Sequence, residues 1–394
     1  VKSSPATIIG VLAVCALTVV SQLYIPVPLL EQVAGQYGVP VTAAGLVLTL
    51  FGIAYATGFL VFGPLSDRLG RKVVMAPGLL ALALASVLVA VAPTFETLVG
   101  ARVLQGFVAA ALPPVALAYL PEVLPARRGA FGIACLSTAF LLAGLLGQLY
   151  GGASGALSAA VLPLAGVYAV GAGLIWLLPE KRKPGHRNLK GLFGAYSGLP
   201  ALLKNGALVR GYAAALVLLF AFVSFYTALA LFAGDAITQA GLDLTMVRAA
   251  AVPAMLLPLI AARFIRSYGP RAVVCWGFGI GAVGLFTAAA VANVGVTIWF
   301  LVAASIVFVA GVSITVPSLI ALVGSLAPDQ RGLAIALYTF VLFVGASLGP
   351  QLPPLVAPLG FGGLCLILGS LFALAAMINV APGHVTRPQP RFAE

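Results

Sequence analysis

Runs of about 20 predominantly apolar residues recur along this chain, and such a run is what a helix needs to cross the hydrocarbon of a bilayer. They fall near 7–30, 42–63, 73–93, 97–120, 130–152 and 158–178, and, after a polar stretch, near 211–234, 245–264, 272–292, 296–323, 332–357 and 361–381. In hydrocarbon every backbone N–H and C=O must be bonded within the protein, and a helix does this within each run. The sequence therefore predicts an all-α integral membrane protein with twelve transmembrane helices in two six-helix bundles. The first run is longer than a signal-peptide core and no small-residue cleavage site follows it, so it is read as the first helix.

Composition excludes the soluble alternatives. Of 394 residues, 62% are hydrophobic and 8% charged, against roughly 25% charged in a soluble domain. Too little polar surface is available for a soluble enzyme, a nucleic-acid-binding module or a disordered chain. The net charge of +12 reflects topology rather than nucleic acid, because cytoplasmic loops of membrane proteins collect Lys and Arg. With both termini cytoplasmic, 19 of the 21 basic residues fall on the cytoplasmic side, Arg248 and Arg102 being the exceptions. The expected localisation is the cell (inner) membrane. Cys15, Cys135, Cys275 and Cys365 lie singly in apolar runs, and His186 and His384 in polar segments. No metal site and no catalytic group is expected from them.

One long polar segment divides the spans six and six. The expected units are an N-terminal bundle over 1–178, a cytoplasmic linker over 179–210 and a C-terminal bundle over 211–394. The stretch from Leu189 to Leu203 is amphipathic, as a helix on the membrane surface would be; a flexible linker is the alternative. The halves also resemble each other. Pro114, Pro125, Arg128, Gly129 and Gln148 recur at an offset of 203 as Pro317, Pro328, Arg331, Gly332 and Gln351. Duplication of this kind puts a substrate site near the bilayer midplane between the halves.

Between the second and third runs stands Gly63-Pro64-Leu65-Ser66-Asp67-Arg68-Leu69-Gly70-Arg71-Lys72. It resembles the signature loop of the major facilitator superfamily, G-x-L-x-D-R-x-G-R-[RK], and Gly63, Asp67, Arg68, Gly70, Arg71 and Lys72 are its candidate switch residues. The glycines allow a tight turn and close helix approach, and Asp67 suits the positive end of a neighbouring helix. The resemblance places the start of the eleventh span, near Gly332, beside it. Arg102-Val103-Leu104-Gln105-Gly106 in the fourth run is similar to the superfamily's R-x-x-Q-G element. Span 5 carries Gly147, Gly151 and Gly152 of the G-x-x-x-G-P-x-x-G-G pattern of the drug:H⁺ antiporter branch, but Ala143 and Gln148 depart from it. A related Gly345-x-x-x-Gly349-Pro350 lies in span 11. Around Arg263–Arg271, the loop equivalent to the signature keeps only Gly269 and a basic tail, with Arg266 where the acid would be.

The resemblance implies a secondary active transporter working by alternating access, most like the twelve-helix efflux branch. It would use a proton gradient and no bound cofactor. Expected partners are a small-molecule substrate and the lipid bilayer, with the protein a monomer. An uncoupled facilitator or a lipid or lysolipid flippase of the same fold is the alternative. An integral-membrane enzyme would need a nucleophile and base or metal ligands at one face, and none is visible. A primary pump would need a G-x-x-x-x-G-K-[ST] loop, which is absent from the sequence.

The charged residues narrow the substrate. No acid falls at mid-membrane, and Arg102 is the one deep charge, so neutral, lipophilic or anionic molecules fit better than organic cations. An intramembrane Arg has to be paired or face water. The expected partner is Glu31 at the end of the first span; Arg102 would hold its carboxylate ionised in one conformation and release it in the other. Gln105 belongs to the same element, and Asp235, at the end of the seventh span, is the next coupling candidate. Gln22, Tyr24, Tyr119, Gln148, Tyr226 and Tyr338 are the expected cavity-lining polar residues. Prolines within or at the ends of spans, Pro26, Pro28, Pro113, Pro114, Pro253, Pro258 and Pro350 among them, can break helices and free carbonyls toward a cavity.

Overall fold

The computed structural model describes residues 4–180, 198–294 and 298–380, the side chains at 235–236 and 293–294 excepted. Ten helical segments among them are long and apolar enough to span a membrane, and the shorter apolar helix Pro5–Ser21 precedes them. One of the ten is really two, because Gly269 interrupts Pro258–Val294 with a non-helical backbone. In chain order α1 is Pro5–Ser21, α2 Leu46–Leu69, α3 Arg71–Ala90, α4 Phe95–Val123, α5 Ala126–Ser154 and α6 Leu157–Leu177. The second set is α7 Gly206–Gln239, α8 258–268, α9 270–294, α10 Ile298–Leu326, α11 Arg331–Leu348 and α12 Gly360–Val380.

Proline decides where the helices depart from the hydropathic runs. The first run was expected to continue to residue 30, but α1 stops at Ser21 and the chain passes through turns to a separate helix, Leu30–Tyr37. Pro26 and Pro28 have no N–H to give to carbonyls one turn back, so the ladder cannot continue. In α4, Phe95–Ala109 and Pro113–Val123 meet at a turn before Pro113 and Pro114. The eighth span starts as two short helices, Leu244–Ala250 and Val252–Met255, before α8. The linker residues 181–197, and with them most of the amphipathic stretch, lie outside the described residues; its last part forms a short helix, Leu199–Lys204.

The two halves repeat their contacts as well as their helices. Gly70, between α2 and α3, has φ 104 and ψ 149, and Gly269, between α8 and α9, has φ 80 and ψ 156. That region is open essentially to glycine alone, so equivalent loops turn on the same conformation. α1 packs on α5 and, equivalently, α7 on α11. A Cβ at Gly147 would sit 2.9 Å from the Ser21 carbonyl oxygen, and one at Gly349 would sit 2.9 Å from that of Phe220. The small residues of spans 5 and 11 thus let backbones touch, as small-residue stripes do in membranes. Between the bundles α2 and α4 meet α11, and α5 meets α10 and the helix 258–294. Phe343 of α11 packs edge-on against Tyr55 of α2, ring centroids 5.1 Å apart.

Candidate functional site

At the end of α2 the signature residues form one cluster. Arg71 begins α3, just past the Gly70 turn, and its guanidinium lies 2.5 Å from Asp67 Oδ1 and 2.8 Å from Glu122 Oε1. Its Nη1 donates to Ser66 Oγ at 2.6 Å, and Ser66 Oγ donates to the Gly63 carbonyl at 2.7 Å. One buried arginine therefore ties α2, α3 and α4 together. Asp67 keeps its second oxygen for the other bundle: Oδ2 accepts from the backbone N–H of Leu333 at 3.2 Å. Leu333 is the third residue of α11, where an N-cap side chain normally accepts, and Gln330, the residue in cap position, supplies no such bond. Gly63 approaches the same helix start so closely that a Cβ on it would lie 3.0 Å from the Gly332 carbonyl oxygen. Lys72 donates to the Leu178 carbonyl at 2.5 Å and sits 6.0 Å above the Trp176 ring. Arg68 is half-buried in the last turn of α2.

Arg102 has a different setting from the one expected. It is fully buried. Its Nε donates to the Val47 carbonyl at 3.2 Å, Nη2 to the Gln22 carbonyl at 3.0 Å and Nη1 to Gln105 Oε1 at 2.5 Å. The guanidinium lies 4.1 Å from the Phe51 ring centre, and Gln105 passes the chain of bonds on to Ser86 at 2.8 Å. The Gln22 carbonyl is available because its helical partner four residues on is Pro26, which has no N–H. The expected pairing with Glu31 is not formed in this conformation: Glu31 is exposed on the separate helix Leu30–Tyr37. The cause is the proline break, which removes Glu31 from the end of α1. Carbonyl dipoles and an aromatic face, not a carboxylate, satisfy the buried charge.

Between the bundles lies a cavity of ≈ 300 Å³ whose lining is mostly apolar. Tyr24, Gln148, Tyr226 and Tyr338 line it, together with Tyr55 and Arg248. The other two expected lining residues do not: Gln22 turns its amide to Tyr168 Oη at 2.9 Å, and the Tyr119 hydroxyl donates to the Pro179 carbonyl at 2.5 Å. Arg102 and Gln105 are not in the lining either. Asp235 falls on α7, and its side chain lies outside the described residues. Sequence reading missed Arg248, set aside as the outer end of a span. Its Nη1 donates to Gln148 Oε1 at 2.8 Å across the two bundles, and its guanidinium is 5.3 Å from the Tyr226 ring centre. The hint was an arginine one turn before Pro253, where helix breaking turns a span end into cavity wall. Glu122 was also missed, since 51 residues separate it from its partner Arg71. The hydroxyls of Tyr55 and Tyr338 are buried without a hydrogen-bond partner among the described residues. No group of three His, Cys, Asp or Glu side chains among the described residues could hold a metal.

Two bundles around a central cavity, joined on one face by a charged latch, are the architecture of a secondary transporter rather than an enzyme. The sequence comparison is specific about which kind. The chain belongs to the Major Facilitator Superfamily, whose family model matches residues 12–254 and 234–393. The chain is similar over 100 residues, at 40% identity, to the uncharacterized MFS-type transporter YybF of Bacillus subtilis; the match covers 25% of each chain. It is 27% identical over 201 residues to the inner membrane transport protein YnfM of Escherichia coli, covering 48% of each. It is 29% identical over 135 residues to the fatty acid resistance protein FarB of Neisseria gonorrhoeae, covering 34% of this chain and 26% of FarB. The aligned stretches thus span half or less of these relatives' lengths. Among solved structures, the human organic anion transporter MFSD10 has a TM-score of 0.77 at 18% identity, over 96% of this chain and 100% of that one. The E. coli fucose:proton symporter FucP has a TM-score of 0.77 at 16% identity, over 96% and 99%. At these identities the structures speak for the fold alone.

Proposed function

We propose that the chain exports a small neutral, lipophilic or anionic molecule across the cell membrane, driven by protons and working as a monomer. Residues 1–178 and 211–394 rock about the cavity, joined by the linker 179–210, with both termini and the latch face in the cytoplasm. The observation that carries the substrate class is the cavity lining. Among the described residues it is apolar apart from tyrosines, threonines, Gln148 and Arg248, and none of these lining residues is acidic. An organic cation would leave water for a site without a counter-charge, which is costly; an anionic or neutral amphiphile would not. The name of one relative, a fatty acid resistance protein, agrees with that class.

A second reading draws on the same lining. With no carboxylate or histidine among its described lining residues, a facilitator without proton coupling, or a flippase for lipid or lysolipid, also suits the cavity. Proteoliposomes loaded with a fluorescent medium-chain carboxylate and given an imposed pH gradient separate the two. Gradient-driven export that Asp235→Asn reduces to passive equilibration supports proton coupling. Equilibration indifferent to the gradient in the wild type selects the facilitator. Failure to move the carboxylate, together with transport of a lipophilic cation, rejects the substrate class.

A further inference from the structure

On the same face as the Asp67 latch, but away from it, a second junction of the bundles holds a pocket of ≈ 420 Å³. Arg127 and Arg128, from the first turn of α5, line it from one bundle, and Arg263 and Arg266 of α8 line it from the other. Phe131, Leu259 and Ala262 complete it. All four arginines are exposed. None is in an ion pair with an acid among the described residues; Arg266 Nε donates to the Ala262 carbonyl within its own helix, at 3.4 Å. Two of the arginines also stand at the positive end of a helix, where cations are disfavoured. Four like charges facing each other across a junction that must close call for an anion.

The surroundings place the pocket at the depth of lipid headgroups. Phe264 and Tyr268 of α8 and Trp276 of α9 are all exposed, and Tyr268 and Trp276 pack edge-on with centroids 4.9 Å apart. Exposed Tyr and Trp at the end of a span mark the level where the membrane meets water. Phe131 and Leu259, both exposed in the pocket wall, offer apolar contact on the same side as the guanidinium groups. Arginine forks match phosphate oxygens, and basic pockets between spans at this level suit anionic headgroups.

We infer that this pocket binds the phosphate of an anionic phospholipid from the surrounding leaflet, and that the bound headgroup holds the two bundles together on this face. The arginines come from α5 and α8, which part when the face opens. A phosphate bridging them therefore binds the closed state better than the open one, and a ligand shifts an equilibrium by that difference. The lipid acts on conformation, not on the cavity, so the inference stands whatever the transported molecule is.

The test uses the full chain in nanodiscs of phosphatidylcholine, with or without phosphatidylglycerol, and spin labels on opposite bundles that report the closed fraction of this face. Phosphatidylglycerol is expected to raise the closed-to-open ratio by about five-fold or more. Arg127→Gln with Arg128→Gln, and separately Arg263→Gln with Arg266→Gln, should each abolish the response and be more closed than wild type in phosphatidylcholine, since the charge repulsion across the junction is then gone. Lys190→Gln with Lys204→Gln, which removes the same formal charge from the linker, should keep the response. Inorganic phosphate added to phosphatidylcholine discs should leave the ratio unchanged. Phospholipid retained through purification, counted by mass spectrometry, gives a second readout: both arginine double variants should lose phosphatidylglycerol that the wild type keeps. An unresponsive wild type, a response surviving in either double variant, equal loss in the linker variant, or the same shift with inorganic phosphate would each overturn the inference.

Discussion

The Asp67 carboxylate caps a helix that belongs to the other bundle. Its Oδ2 accepts from the Leu333 N–H at 3.2 Å while its Oδ1 lies 2.5 Å from Arg71. The N-cap role is thus filled by a residue 266 positions away in sequence, and the bond lasts only while this face is closed.

Asp67→Asn is expected to weaken that closure. The loss of charge at a helix start and of a charged cap is worth about 0.5–2 kcal/mol, and the population should move toward the state open on this face. Double electron–electron resonance between labels on the two bundles should report longer distances. Unchanged distances with wild-type transport would assign the aspartate to local packing with Arg71 alone.

Gly332→Ala should move the same equilibrium by another route. A Cβ there would collide with the Asp67 carboxylate, so either the carboxylate leaves the Leu333 N–H or the face parts, and both weaken closure. Asp67→Gly removes the obstructing atoms, and adding it to Gly332→Ala should cost less than the two single effects together. Coupling of about 0.5–3 kcal/mol is the range for side chains in contact; strict additivity in the double-mutant cycle would refute the contact.

Arg102→Met should lower stability rather than abolish coupling. It leaves the Gln22 and Val47 carbonyls and Gln105 without their donor, at about 1–3 kcal/mol for each group left unpaired. Thermal unfolding in detergent should show a lower midpoint, with Arg102→Lys intermediate because a single ammonium cannot reach all three acceptors. Glu31→Gln should leave the midpoint where it was. A destabilised Glu31→Gln protein would restore the pairing that the geometry replaces.

Gly70→Ala and Gly269→Ala should each destabilise the fold by about 1–3 kcal/mol, the cost of forcing a side chain into that backbone region. Equal midpoints for variant and wild type in a detergent melt would mean that the loops can turn another way.

Much of this fold is legible in the sequence. Length and apolarity of the runs place the helices, and the loop from Gly63 to Lys72 carries the family resemblance. The recurrence of PARRG as PDQRG marks equivalent helix starts in the two halves. What the runs conceal is where a helix stops inside apolar sequence. Hydropathy does not distinguish Val20 in α1 from Val27 beyond its end, so it puts Glu31 on the wrong helix and conceals the carbonyls that Arg102 meets in this conformation. Arg248 is hidden for a related reason: a residue counted at a span end lines the cavity once Pro253 and Pro258 break the span. Glu122 and Arg71 meet only through the packing of three helices, which no local pattern encodes.

The Asp67 bond has one more consequence. Its acceptor belongs to one half, but its donor is a main-chain amide, a group every residue except proline provides. The first turn of α11 is therefore free to change its side chains so long as position 332 stays small and position 333 is not proline. Two halves with separate histories could still recognise each other at this joint. A chimera joining residues 1–204 to the second half of another superfamily member that keeps a small residue at the equivalent site should close on this face without redesign.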